Sequence, residues 1–386
     1  LATEVGRAEV SASYRIGYNR VESPAAVTLA PGAAPVDIFD DSVVQAAAVR
    51  AGIAPGAVLP VGVGVGAGWN RQDISNLDQR VDDRSVRADV TVPVSPTLAL
   101  VGGVGYEQVE VSSRDAVRDT NGNPVIGDDG RFVTDPSAPR RIAYETDGLI
   151  WDAGVLWRPS RRTSLAASVG RRYGSTTYYG SFAYAPDARS SLNISVYDNL
   201  TGFGGLLSSA LDGLGTDFDA FRNPITGDLG GCVAGTSGAN CVLAGLGSVR
   251  SAVFRSRGVA ASYGRSIGRT QLGLGAGYDR RRYITAAGTA LEEADGIVDE
   301  NYWLAAYASR QLDRLSSLGF TASANWFESG FDNAGDGMGY STALAYNRNF
   351  LGGLSGTAAI GLDGITRDSL PDFTTASALV GLRYTF

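Results

Sequence analysis

The sequence predicts an all-β chain, a transmembrane antiparallel β-barrel of about sixteen strands with short turns at one end and long loops at the other. Three observations predict it. Apolar residues recur with period two over many segments of strand length. Tight turns alternate with long links between those segments. No run approaches 18 consecutive apolar residues, so a membrane would be crossed by strands rather than by a helix.

The composition fits that class. The chain has 386 residues, with 51 glycines, 17 tyrosines, 13 phenylalanines and a single methionine. A wall in which only every second residue meets lipid dilutes its apolar signal by half, and the whole length reads as one domain. All 33 basic residues are arginine, and the net charge of −7 argues against a nucleic-acid partner. There is no histidine, which removes the usual general base and the commonest neutral metal ligand.

The first segment shows the alternation: Ala8, Val10, Ala12, Tyr14, Ile16 and Tyr18 share one face, and Arg7, Glu9, Arg15 and Asn19 the other. Val86, Ala88, Val90, Val92 and Val94 likewise oppose Arg87 and Asp89, and Leu149, Trp151, Ala153, Val155 and Trp157 oppose Asp152 and Arg158. Strands are expected near 5–20, 42–52, 60–73, 84–94, 98–111, 146–158, 163–173, 175–185, 190–200, 253–265, 270–283, 299–311, 317–328, 337–349, 355–365 and 373–386. The segment 42–52 also fits a short helix through Val43, Ala46, Ala47 and Arg50; an even strand count favours the strand. A soluble sandwich or solenoid would also alternate. Aromatics near segment ends (Tyr14, Tyr18, Trp69, Trp157, Tyr173, Tyr278, Trp303, Trp326, Tyr346 and Tyr384) favour interface girdles instead.

The insertions 21–41, 112–145 and 201–252 are expected as extracellular or plug loops of the single 1–386 barrel, with the short turns and both termini periplasmic. The opening residues enter a strand pattern directly, so a removed leader or a further N-terminal region is expected before them. Cys232 and Cys241 in the longest insertion read as a disulfide pinning a loop of an exported protein.

The final apolar face, Val380, Leu382, Tyr384 and Phe386, resembles the C-terminal targeting strand of bacterial outer-membrane proteins. That likeness implies recognition by the barrel assembly machinery and residence in outer-membrane lipid and lipopolysaccharide. More narrowly, Trp157-Arg158-Pro159-Ser160-Arg161-Arg162-Thr163 followed by Gly170-Arg171-Arg172-Tyr173-Gly174 resembles a hairpin of an outer-membrane family found with PEP-CTERM and exosortase exopolysaccharide loci. The likeness covers that hairpin and, loosely, the barrel pattern. It implies a surface-polymer or secretion setting, and no catalytic residue.

Candidate functional residues follow from the faces. Arg7, Glu9, Arg15, Arg87, Asp89, Asp152, Arg158, Asp279 and Arg281 are expected to line the lumen, either setting a transverse field or simply solvating a polar interior. Gly62, Gly64, Gly66 and Gly68 on the third strand, and Gly273, Gly275 and Gly277 on the eleventh, form bare inner walls. They either receive a plug segment, from 201–252 or 21–41, or permit sharp curvature. Asp119, Asn121 and Asn123 sit at calcium-loop spacing, but Pro124 and the Asn-Gly pair favour a hairpin turn. No cofactor, metal or enzymatic role is expected, since Ser-His chemistry lacks its histidine. Two functions remain open: an outer-membrane channel, porin-like or exporting a surface polymer such as exopolysaccharide, and a non-conducting plugged barrel that anchors an assembly through its loops or an N-terminal region.

Overall fold

The computed structural model describes residues 2–21, 37–212, 218–223, 225, 229–235, 238–241, 246, 249–331, 335–350, 352–368 and 370–384. The first half of the sheet is β1 (Ala2–Val5), β2 (Ala8–Arg20), β3 (Asp41–Ile53), β4 (Gly62–Ile74), β5 (Gln79–Ser95), β6 (Leu98–Ser113), β7 (Arg141–Ser160), β8 (Thr163–Arg172), β9 (Ser175–Asp187) and β10 (Ser190–Thr201). An insert follows, with helix α1 (Phe203–Asp212) and a small sheet of β11 (Phe218–Arg222), β12 (Leu229–Gly235) and β13 (Gly238–Asn240). The wall resumes with β14 (Phe254–Ile267), β15 (Thr270–Tyr283), β16 (Val298–Gln311), β17 (Ser316–Glu328), β18 (Gly337–Asn349), β19 (Leu354–Arg367) and β20 (Leu370–Tyr384).

Among the described residues the wall is an antiparallel meander of sixteen long strands and the short β1, paired in sequence order. The insert leaves that order undisturbed, because Thr201 and Phe254 on either side of it are register partners. Segment 42–52 is a strand. Its neighbours explain why: β3 pairs with β2 through Tyr14–Ala47 and with β4 through Ala47–Trp69, whereas a helix would leave both edges without partners.

The first segment corrects the expectation of one unbroken strand. Gly6 takes φ 67°, and the chain reverses there so that β1 lies back along β2, with Ala2 opposite Ser11 and Val5 opposite Ala8. Arg7 therefore occupies a turn rather than the lumen wall, and donates to the carbonyl of Ala57 at 2.8 Å. Arg158 is likewise displaced. A register shift between Trp157 and Ser160 leaves it exposed at the short-turn rim, where its backbone N–H donates to Thr97.

All the long links gather at one end. The links 6–7, 54–61, 96–97, 161–162, 188–189, 268–269, 312–315 and 350–353 share one rim, and the four longest, 21–40, 114–140, 202–253 and 284–297, join strands at the other. The outward face carries an exposed apolar band whose upper boundary is visible in the register. Ala67, Val86, Tyr106 and Leu149 lie side by side, and the next row toward the long loops is Trp69, Arg84, Gln108 and Asp147. Across the sheet Tyr278, Tyr302 and Trp326 form one row, with Arg280, Glu300 and Glu328 beyond it. The band from Val86 to Val94 is about 26 Å long at a strand's rise per residue. Two expected girdle aromatics lie elsewhere: Trp303 is buried on the inner face, and Tyr173 is buried at the long-loop mouth with φ 51°.

Curvature makes particular glycines necessary. A side chain at Gly105 would collide with the carbonyl of Val86, and one at Gly170 with that of Trp151, whereas Gly319 has open space. Gly170→Ala is therefore expected to cost about 1–3 kcal/mol, as overpacking does. Gly319→Ala is expected to stay within about 0.5 kcal/mol. Urea midpoints of the two variants folded in detergent check this; equal midpoints would show that curvature at Gly170 is not limiting.

Candidate functional site

The insert crosses the inner face of the sheet and touches opposite walls. At its start, α1 packs on β2 and β3. Asn19 Nδ2 donates to the carbonyl of Gly204 at 3.1 Å and to Ser208 Oγ at 2.8 Å, and Arg15 forms an ion pair with Asp212. Gly202, Gly204 and Gly205 are required here, because a side chain on them would collide with Ile74, Ser42 or Thr201. On the far wall β12 and β13 lie against β14–β17, and Ile225 reaches Gly361 of β19. The wall thus curls round its own insert.

Cys232 and Cys241 are disulfide-bonded and buried with Ala260, Trp303, Ala305 and Tyr307. Gly275 gives Cys241 its berth, since a Cβ there would press against that of Cys241. One of the two glycine walls therefore receives the insert. Its neighbours Gly273 and Gly277 make room for Tyr307 and Trp303 of β16. The other wall does something else: Gly64 clears space for the Arg50 guanidinium, Gly62 for Pro55, and Gly66 and Gly68 face their own neighbouring strands.

The inner charges come together as pairs along the wall. Asp89 accepts from Arg50 at 2.7 Å and from Arg87 at 2.8 Å, and Arg87 continues to Asp152 at 2.6 Å. Arg281 donates to Asp279 at 2.6 Å and to the carbonyl of Leu246 in the insert at 2.6 Å. Glu9 lines a cavity of about 500 Å³ at the short-turn end with Glu4, Arg50 and Asp89. Val380, Leu382 and Tyr384 point outward, Val380 being 86 % exposed; Phe386 lies outside the described residues, as does most of 21–41. The segment Asp119–Asn123 is a turn, in which Asp119 Oδ1 accepts the backbone N–H of Asn121 and of Asn123 and Gly122 takes φ 85°.

Several residues, most of them not singled out by the sequence, meet at the long-loop mouth. Phe39, Ile74, Val81, Val109, Tyr173 and Phe203 form an apolar cluster there, with the rings of Phe39 and Phe203 at 5.3 Å. Gln72 and Gln79 grip the two ends of the insert. Gln72 Oε1 accepts from Gly202 N at 2.9 Å, and Gln79 Nε2 donates to the carbonyl of Ser251 at 3.0 Å. Period-two counting puts Gln72 on the inner face, but an amide among other polar residues carries no distinguishing mark, and Gln79 lies ahead of the expected strand 84–94.

Beside these, Asp37 is 5 % exposed and accepts from Ser251 Oγ at 2.8 Å, Asn76 Nδ2 at 3.2 Å and Phe132 N at 3.3 Å. Burial raises its pKa above the usual carboxylate value, against the lowering effect of Ser251, Phe132, Asn76 and Arg131.

No family model matches the chain, and no curated protein matches it in sequence. Among solved structures it is similar to the copper transporter OprC (11% identity, covering 97% of this chain and 60% of that one, TM-score 0.40). It is also similar to the ferric yersiniabactin uptake receptor FyuA from Yersinia pestis (10%, 98% and 60%, TM-score 0.38). A third likeness is to an anion-selective porin from Comamonas acidovorans (9%, 98% and 100%, TM-score 0.30). The chain spans three fifths of the length of the first two. The fold assignment rests on the ladders described above.

Because folding raises the Asp37 pKa, the folded chain holds that proton more tightly than the unfolded one. The contribution favours the fold below the unfolded value near 3.9 and is lost as pH rises through the raised value. Asp37→Asn should therefore flatten the fall in thermal stability between acid and neutral pH. Parallel melting curves of wild type and variant would show the same pH slope if Asp37 contributes nothing.

Proposed function

We propose that this chain is a bacterial outer-membrane barrel whose passage is closed at rest by its own insert, and that solute or polymer passes only when the insert is displaced. The observation that carries this reading is the insert itself, anchored to β2–β5 on one side and to β14–β17 and β19 on the other. The outward apolar band, bounded by aromatic and charged rows, supports a membrane setting: about 26 Å along strands tilted by about 35–45° spans roughly 20 Å of height, of the order of the roughly 25 Å band of such barrels. In this reading the short turns are periplasmic, as is the end of β20, which runs toward them. The hairpin resemblance at 157–174 supports a surface-polymer setting, in which an exported chain would require the insert to move aside. No catalytic step belongs to this reading. The inner charges, mostly neutralised by partners on the same wall, stabilise the interior more than they select a solute.

Planar-bilayer recording tests the closed state. The wild-type protein should show no steady conductance. A variant with 204–250 replaced by a short Gly-Ser linker, which Thr201–Phe254 pairing leaves easy to span, should conduct on the nanosiemens scale. Steady wild-type conductance would overturn the closed passage. A silent but heat-modifiable insert-free barrel would favour the structural anchor.

The membrane setting has its own test. Val90 faces outward in mid-band, so Val90→Arg should cost about 2–4 kcal/mol in folding into vesicles. A neutral effect would remove lipid from that face.

A further inference from the structure

We infer that the β4–β5 hairpin is a single latch for both ends of the insert, with Gln72 and Gln79 as its positioning residues. The inference rests on the closed-passage reading. The insert leaves the wall at Thr201 and returns at Phe254, on β10 and β14, yet both of its ends reach across to β4 and β5. At the leaving end, Gln72 Oε1 accepts from Gly202 N at 2.9 Å and from Thr201 Oγ1 at 3.2 Å, while its Nε2 lies 3.4 Å from Ser42 Oγ. At the returning end, Gln79 Nε2 donates to the carbonyls of Ser251 at 3.0 Å and Asn76 at 3.1 Å, and its Oε1 accepts from Val253 N at 3.2 Å. The two side chains are 1 % and 2 % exposed.

The hairpin tip between them is clasped from the long-loop side. Leu77 is fully buried against Ala116 and Phe132, and Asp78 pairs with Arg114 at 2.9 Å and Arg140 at 2.6 Å. A movement of the 114–140 loop thus acts on one element, and that element acts on both ends of the insert at once.

The chemistry of the two amides differs, which gives the test its sign. Toward the insert Gln72 acts only as an acceptor, a role glutamate retains. Gln79 must donate to two carbonyls, and glutamate there would set a carboxylate against them. Bilayer recordings of the full chain should show Gln72→Glu as silent as wild type and Gln79→Glu opening intermittently. The Gln72→Ala/Gln79→Ala double variant should raise open probability roughly tenfold or more, the scale of one lost buried hydrogen bond. Heat-modifiable migration reports folding, and the two glutamate variants carry the test if the double variant does not fold. Equal opening by both glutamate variants would overturn the hydrogen-bond latch in favour of space filling. A silent double variant beside a conducting insert-free chain would overturn the latch and leave the closed passage standing. A silent insert-free chain would instead fail the reading beneath both.

Discussion

Continuity of the backbone ladder is the constraint on which the rest of the structure depends. In an apolar surround an unpaired N–H or C=O costs several kcal/mol, so strands that cross such a layer must hand their hydrogen bonds to one another. The chain meets this with pairing in sequence order, shorter links at one rim and the four longest connections at the other. The same constraint makes Ser42–Gly52 a strand despite its run of alanines: β2 and β4 present complementary edges, and local helix propensity is too weak to leave both bare. Once the ladder is fixed, side-chain direction is fixed with it, and chemical variety is confined to the inner face and the long-loop end.

On that inner face glycine and bulk are distributed as complements. Arg50 lies over Gly64, Arg87 over Gly103, Tyr307 over Gly273 and Trp303 over Gly277, each large side chain folding across the pleat onto a bare neighbour in the next strand. The arrangement lets long side chains lie flat against the wall and leaves room for the insert above them. It also pairs the charges tightly. Asp89 sits between two guanidiniums, and the carboxylates Asp83 and Glu107 share Arg172. Burying these groups is tolerable because each has a partner within hydrogen-bond distance.

The wall was legible in the sequence because period-two patterning is a local property. Strand positions, the sixteen-fold count and the outward sets on β2, β5 and β7 follow from it directly. Failures came where local pattern meets a backbone exception. Arg7 follows a glycine at φ 67°, and Arg158 follows a register shift, so parity counting carried both onto a wall they do not line. Tyr173 and Trp303 were misplaced for a related reason: aromatic identity signals an interface, yet here it serves an interior packed by the insert. The cysteines and Gly275 pointed to the insert's seat from opposite directions, but nothing in the spacing of Gln72, Gln79 or Asn19 marks them as its anchors. Those roles exist only once residues more than a hundred positions apart are brought together.

The kind of bond that holds the insert bears on whether closure can be reversed. Broad apolar burial stabilises in proportion to area and would make the insert a permanent part of the core. Buried amide hydrogen bonds behave differently. Each contributes only about 1 kcal/mol net when made, but leaving a partner unsatisfied costs more, so they fix position sharply without adding much total stability. At the long-loop mouth the apolar cluster contains Phe39 and Phe203 but is edged by directional contacts from Gln72, Gln79, Asn19 and Asp37. The disulfide holds β12 and β13 together as a unit against β15 and β16. The insert is thus internally stapled, held by directional bonds at the long-loop mouth and by apolar packing of its disulfide on the far wall, so displacing it would have to undo both.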